Sequence, residues 1–552
     1  MKFFRKYLKI TSLAAAVTML ASSCEFTDLD INDDPNNPTQ AAPNLLLTAS
    51  QIGSVRALEG VNYNVHGFVG LMSSADDFNL NNNSYNFLWN TFYSGSMKDV
   101  DELIRATEST NNPHYLGIAQ AMKAYFTGMF VDMFGDVPYS EAWQGNAAAA
   151  NKAPAFDKDQ NIYDNLVTLC DAAIENLGKT SPVAVSGDLY YGNNAGRWRN
   201  FARAVKLKLL FNARKTRPGS AAELAAAFAD VEANALTDFT YRYNSLASPE
   251  GRHPWFQSAY LGDNAFPHIS HQFMIELIAD QDPRLPFYLK RQTTQILNPL
   301  DPGERGTIPA YRYLVAHAPT TQRLYGKDPE QLTSEEQDYL AGFFGRDRGD
   351  RTGLPLDGAL RTAPGVYPAG GLFDGSPRVL DGKQGGSGAG IFPLLTNNMI
   401  KFWKIESILD NGVPGSAEAL FEAAIRESIA NVVTFGKQRD ANAVEPTADA
   451  VNAYVSLWMQ RYQDAPSNSA KLNVVLKQAW FANWGNGFET WNAMRRTGLP
   501  STVDAPRQKV RQFPLRLPYP SQEISNNANA GGAGEVTFDQ TPVFWDVVKL
   551  KL

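Results

Sequence analysis

Cysteine is nearly absent from this chain: its 552 residues include two, Cys24 and Cys170, so no framework of disulfides holds it together. Histidine is scarce as well. The six are His66, His114, His253, His268, His271 and His317, and none forms an H-E-x-x-H pair. His268 and His271 fit one helix face but have no third ligand nearby, so no metal site is expected. Beyond the N-terminal leader no run of about 18 apolar residues occurs, which excludes a spanning helix in the body of the chain. The G-x-S-x-G elbow of a serine hydrolase is missing. The "LGKT" at Leu177 to Thr180 has Ala173 where a phosphate loop needs its first glycine. The aspartates of "DLDINDDPNNP" lack the turn glycine and final glutamate of a calcium loop. Excess positive charge is lacking too. The formal net charge of −7 becomes −11 once Lys2, Arg5, Lys6 and Lys9 of the leader are removed, which excludes nucleic acid as a natural partner. No catalytic residue and no cofactor is expected, and the chain does not read as an enzyme.

What is present begins with that leader. The four basic residues precede an apolar run from Ile10 to Leu20 and the small residues Ala21, Ser22 and Ser23, a secretory signal over 1–23 too short to cross a bilayer. Cys24 stands directly after them, as in a bacterial lipobox, and is expected to be lipidated after cleavage. Two or more acyl chains make such anchoring stable. Cys170 then has no partner, and its helical spacing with Ile162, Leu166 and Leu169 marks it as a small buried apolar residue. Residues 24–43, broken by Pro35, Pro38 and Pro43, read as an extended tether.

After the tether the text is helical, and 44–552 reads as a single globular domain, mainly α, with helices paired as TPR-like hairpins. Trp480, Trp484, Phe488 and Trp491 fall on one stripe of an apparently continuous helical pattern. In "RWRNFARAVKLKLL", Trp198, Phe201, Ala202, Val205 and Leu209 form the buried stripe, leaving Arg199, Arg203 and Lys206 on a solvated face. A loop-rich insertion runs from about 290 to 392. Gly345 to Gly390 holds 13 of the 42 glycines, and a long irregular excursion of that kind is expected to serve as a binding surface or partner contact.

Four stretches together resemble the SusD/RagB family of outer-membrane lipoproteins: "LDINDDPNNPT", "FVDMFGDVPYSEA", "NGFETWNAMRRTGLP" and "RLPYPSQEISNN". The third carries Glu489, Trp491, Arg495, Arg496, Thr497, Gly498 and Pro500 in the spacing of one branch of that family. On residue chemistry alone this string is architectural: Phe488 and Trp491 pack inward, Glu489 and the arginines pair with each other or with helix carbonyls, and Gly498 and Pro500 end the helix. The resemblance implies a SusD-like helical fold and a non-catalytic cell-surface receptor. Such a receptor would capture an oligosaccharide, or alternatively an oligopeptide, and act as the lid of a SusC-like TonB-dependent transporter in the outer membrane.

Sugars need flat aromatic faces beside amides and carboxylates. "MSSADDFNLNNNSYNF" offers both on a stretch whose asparagines favour a loop, and the family's ligand face draws on this part of the chain. Asp76, Phe78, Asn79 and Tyr85 are therefore the expected ligand-binding residues, with Tyr325, Phe344 and Arg346 at the edge of the insertion as a second group. The rival from another class is a surface-anchored glycan hydrolase, for which a carboxylate pair such as Asp76 and Asp77 would have to straddle the bond.

Overall fold

The computed structural model describes residues 41–73, 78–108, 110–144, 151–246, 251–261, 268–292, 361–376, 380 and 382–552, with short stretches between 322 and 349. The leader, the tether with Cys24, the residues Asp76, Asp77 and Phe344, and much of 293–360 lie outside the described residues.

Among the described residues the helices of nine residues or more, in chain order, are α1 (Pro43–Phe68), α2 (Met97–Glu108), α3 (Pro113–Phe134), α4 (Asp159–Asn176), α5 (Ala195–Ala213), α6 (Ser220–Ala233), α7 (His271–Ala279), α8 (Asn397–Asn411), α9 (Ala417–Arg439), α10 (Ala448–Asp464), α11 (Asn468–Ala482) and α12 (Gly487–Thr497). Among the described residues three two-stranded antiparallel ribbons join them: β1 (Val137–Pro138) with β2 (Phe156–Asp157), β3 (Phe239–Arg242) with β6 (Ile391–Leu395), and β4 (Leu289–Lys290) with β5 (Ala363–Pro364). Among the described residues the fold is thus mainly α, as the sequence predicts. Consecutive helices α2 to α6 pack each on the next, the arrangement expected of TPR-like hairpins. In the second half α8 packs on α9 and α11, and α12 closes the body by lying on α1.

The middle of this stack is α3, which is apolar on every side and buried almost throughout, the signature of a core helix. It starts on Pro113, whose missing N–H is no loss at a helix start. It stops at Gly135, whose φ of +76° a side chain would resist. The basic helix α5 buries the predicted stripe. Its outer face is ion-paired rather than merely solvated, with Arg203 on Asp230 at 3.2 Å and Lys206 on Asp171 at 2.6 Å. Cys170 is buried in α4, where burial pushes its thiol well up.

The three resemblance-bearing stretches that lie among the described residues converge at the C-terminal end of α3. Asp132, buried there, accepts hydrogen bonds from Tyr163, from Trp545 Nε1 at 2.9 Å, from Asn492 Nδ2 at 3.1 Å and from Asn212 Nδ2 at 3.2 Å. Arg495 donates to the carbonyls of Asp132 at 2.6 Å and Leu515 at 2.8 Å, with its guanidinium 3.8 Å over the Trp491 ring. Tyr519 donates to the Asp136 carbonyl at 2.5 Å. Arg496 donates to Glu489 at 2.9 Å and lies 3.3 Å from Glu406, which also receives Arg214 at 2.6 Å. Burial alone would raise the Glu406 carboxyl, but Arg496 and Arg214 hold it below its ordinary value. Glu406 and Glu489 each face a guanidinium, which is what permits their burial.

The pattern read as one helix from Lys471 to Arg496 is broken. Helix α11 ends at Ala482, Gly485 takes φ +106°, and Asn486 caps α12 by accepting from Glu489 N at 3.3 Å. The break exists for tertiary reasons. Asn62 of α1 donates to the Gly485 carbonyl at 3.1 Å and accepts from Gly487 N at 3.2 Å, while His66 Nε2 accepts from Gly485 N. A Cβ on Gly487 would meet His66 at 2.9 Å, so only glycine lets α12 come this close to α1. Trp480, Trp484, Phe488 and Trp491 are nevertheless all buried, each with an apolar transfer term of roughly 1.5–3 kcal/mol or more.

The glycine-rich part of the insertion differs from expectation. From Arg361 to Asp374 it is buried, not displayed. A Cβ on Gly365 would meet the Phe287 carbonyl at 2.3 Å, and one on Gly370 the Gly390 amide at 2.6 Å. These glycines serve close backbone-to-backbone packing inside the body, a role that composition cannot distinguish from an open loop.

Candidate functional site: a groove under the asparagine loop

At the end of α1 the chain leaves the core, and the loop containing Phe78 and Asn79 returns over the helix before the 3-10 turn Asn82–Tyr85. Between them lies a half-open groove of about 220 Å³. Tyr63, Asn64 and Phe68 of α1 form one wall, and Phe78, Asn79 and Tyr85 belong to the other. The structure thus brings together three of the predicted residues, Phe78, Asn79 and Tyr85.

Their roles are not the ones the sequence suggested. Phe78 and Tyr85 are each only 1% exposed, so neither ring offers a free face for stacking. Phe78 packs edge-on against Phe513 at 5.8 Å and lies 5.7 Å from the Arg348 guanidinium. It holds φ at +65°, a strained value for a bulky side chain and one of the outliers that gather at functional loops. Tyr85 meets Phe134 edge-on at 6.4 Å, and burial raises its hydroxyl well above the ordinary value, partly opposed by the Asn64 amide. These two rings are the floor. Tyr63, half-buried, is the aromatic on the open side. Sequence reasoning passed over it, although it falls off the stripe of Leu58, Val61, Val65 and Phe68 that α1 buries.

The asparagines divide into two sets. Asn81 accepts from Asn83 N at 2.8 Å and so shapes the turn. Asn82 donates to the Tyr519 carbonyl at 2.9 Å, Asn86 donates to Ser521 at 3.3 Å, and Asn83 accepts from Ser521 at 2.5 Å. These tie the loop to the segment that follows Tyr519. Asn79 is exposed at the rim and makes no side-chain hydrogen bond among the described residues.

Of the second predicted group, Tyr325 and Arg346 do not line the groove. Tyr325 is half-buried against the core, and Phe344 is outside the described residues. Arg346, an expected ligand-binding residue, is buried, with its backbone bridged to Ser270: its amide donates to the Ile269 carbonyl at 3.1 Å. Arg348, two residues on, reaches the site instead. Its guanidinium donates to the Phe68 carbonyl at 2.8 Å and to the Asp504 carbonyl at 2.5 Å, which pins the end of α1. Arg346 sits on the bridge to Ser270, whereas the chain has already turned at Arg348, which carries the second arginine towards α1. Among the described residues no group of three or more His, Cys, Asp or Glu could hold a metal ion. The arrangement is suited to non-covalent recognition, with an apolar floor, a rim of amides and hydroxyls, and an opening to solvent.

Fold and site define an α-helical, mostly TPR-like scaffold with a shallow polar-rimmed groove. Residues 35–336 match the SusD-like family described as "Starch-binding associating with outer membrane", and 392–546 match "Susd and RagB outer membrane lipoprotein". The chain belongs to this family of SusD-like outer-membrane lipoproteins. No helix among the described residues is long and apolar enough to cross a membrane. Solved structures share the fold at low identity. A SusD homologue of Bacteroides fragilis is 18% identical with a TM-score of 0.66, covering 93% of this chain and 100% of its own. A chitin-binding protein is 20% identical with a TM-score of 0.64 over 92% of this chain and 100% of its own. A chitin-binding SusD homologue of Flavobacterium johnsoniae is 17% identical with a TM-score of 0.61 over 92% and 97%. Among curated proteins no relative matches.

Proposed function

We propose that this protein is a cell-surface receptor that captures oligosaccharides and delivers them to a SusC-like TonB-dependent transporter, for which it is the lid. Family membership over both halves of the chain supports the receptor class. The observation that carries the ligand class is the groove itself: the amides of Asn79 and Asn81, the Ser84 hydroxyl and the half-buried Tyr63 ring line its opening, groups that meet the hydroxyls and C–H faces of a sugar ring. The fold relatives named for chitin binding point the same way. In this reading residues 1–23 are removed, Cys24 carries the lipid, 24–43 is the tether, and 44–552 swings as one domain. Capture is coupled to delivery by a difference in affinity between the open and closed lid.

Isothermal titration calorimetry against maltohexaose, chitohexaose and a mixed oligopeptide pool tests the ligand class. Heat with a hexasaccharide and none with the peptides supports the reading; heat with the peptides alone replaces the sugar by a peptide. Product release from the hexasaccharides would return the protein to the hydrolases.

A further inference from the structure

The solvent face of α1 continues past the groove just described. Ile52, Arg56, Gly60, Tyr63 and Gly67 follow one another at three- and four-residue spacing, so they share a stripe. Its C-terminal end lines the first groove. Its N-terminal end lines a second one, of about 230 Å³, whose other walls are Phe87, Tyr241, Tyr243 and Pro254. The two openings are about 12–14 Å apart at the helical rise of 1.5 Å per residue.

Two features of this second groove lack a structural explanation. Glu59 is only 8% exposed, yet neither of its carboxyl oxygens has a hydrogen-bond partner. The nearest ring nitrogen, His253 Nε2, is 3.9 Å away, and burial keeps that imidazole neutral by lowering its pKa to about 3. Burial raises the Glu59 carboxyl to about 8; the Asn62 amide and Tyr243 hydroxyl oppose this without completing a hydrogen bond. A buried polar group left in this state wants an explanation outside the empty fold. Phe87 is the second feature. It is 57% exposed, rests beside Gly60 and stacks on no other ring among the described residues, while Tyr241 across the groove is half-buried.

The occupant must present a hydrogen-bonding group to Glu59 and an apolar face to the aromatic walls. A protonated carboxyl both donates and accepts, which suits a hydroxyl. An ammonium group would have Arg56 beside it at the rim, and a purely apolar ligand would leave Glu59 unpaired. We propose that this groove is a second sugar subsite, taking one pyranose ring of a neutral glycan with Glu59 as hydroxyl partner and Phe87 and Tyr241 as apolar walls. The inference rests on the glycan reading above, and the shared stripe of α1 lets one oligosaccharide occupy both grooves.

Calorimetry of the full-length chain in detergent, with maltohexaose and chitohexaose, tests it. Phe87→Ala is the decisive variant because its ring is already largely in water and its loss leaves the core intact. Phe87→Ala and Glu59→Ala are each expected to weaken binding of the recognised hexasaccharide about tenfold, and Glu59→Gln, which keeps a donor and an acceptor, by less than threefold. Wild-type affinity in Phe87→Ala together with a loss in Asn79→Ala would overturn the second subsite and leave the glycan reading standing. Silence of the wild-type protein towards both hexasaccharides would overturn both.

Discussion

The junction at the end of α3 and the groove at the end of α1 are both lined by polar residues, and they differ in what those residues have already found. In the junction Asp132, Glu406, Glu489, Arg495 and Arg496 are buried and hydrogen-bonded to one another or to carbonyls. In the groove Asn79 makes no side-chain hydrogen bond among the described residues, and further back along α1 Glu59 is unpaired. Near-complete pairing, with the Nε of Arg495 the donor left over, is the mark of architecture, because an unpaired buried charge would not be tolerated there. Spare hydrogen-bonding capacity next to an opening is the mark of a place where something binds.

The comparison can be broken most severely at Arg496. Replacing it with alanine leaves Glu406 and Glu489 buried with one cation fewer, and unfolding in guanidinium is expected to show a loss of about 3–5 kcal/mol with no specific effect on ligand affinity. A fully stable variant would mean that the junction is not the structural element it looks to be. The pH dependence of stability separates the two regions next. Glu59 is raised from 4.5 to about 8, so the stability it permits is complete below 4.5 and is lost as pH rises through 8. His66 and His253 are lowered from 6.5 to about 4 and about 3, so their share is complete above 6.5 and is lost as pH falls through those values. Stability should therefore peak between about 4.5 and 6.5. Denaturation of Glu59→Gln should flatten only the alkaline limb, by on the order of a few kcal/mol. If that limb is unchanged, Glu59 is not the buried neutral acid described here.

Smaller effects sharpen the contrast. Asn486→Ala removes the α12 cap and two side-chain bonds to the Pro393 and Leu394 carbonyls, and thermal denaturation should register a loss of about 1–2 kcal/mol. At the rim, Asn79→Ala should leave stability within about 0.5 kcal/mol of the parent, as for exposed positions generally. It should weaken hexasaccharide binding by roughly tenfold, the worth of one or two hydrogen bonds. Equal affinity in that variant would move the ligand elsewhere on the α1 stripe.

Much of the fold is legible in the text because helical periodicity is a local property. The apolar text of α3, the stripes of α5 and the stop at Gly498, where φ is +74°, all stand where the spacing puts them. The site is less legible. The asparagine-rich stretch reads as a loop, and it closes into the 3-10 turn Asn82–Tyr85; which of its asparagines are tied down depends on Tyr519 and Ser521, more than 400 residues away. The same holds for aromatics: Phe78 and Tyr85 look like platforms in sequence and are floor in the structure, whereas Tyr63 and Phe87 are the ones left at the openings.

By itself the sequence determined a helical body and helix ends such as the stop at Gly498, since propensity, capping and apolar spacing act over a few residues. Tertiary structure alone decided the break between α11 and α12, the burial of residues 361–374 within the glycine-rich insertion, and which polar groups were left unsatisfied. Each of those depends on a partner distant in sequence arriving within hydrogen-bond or van der Waals reach.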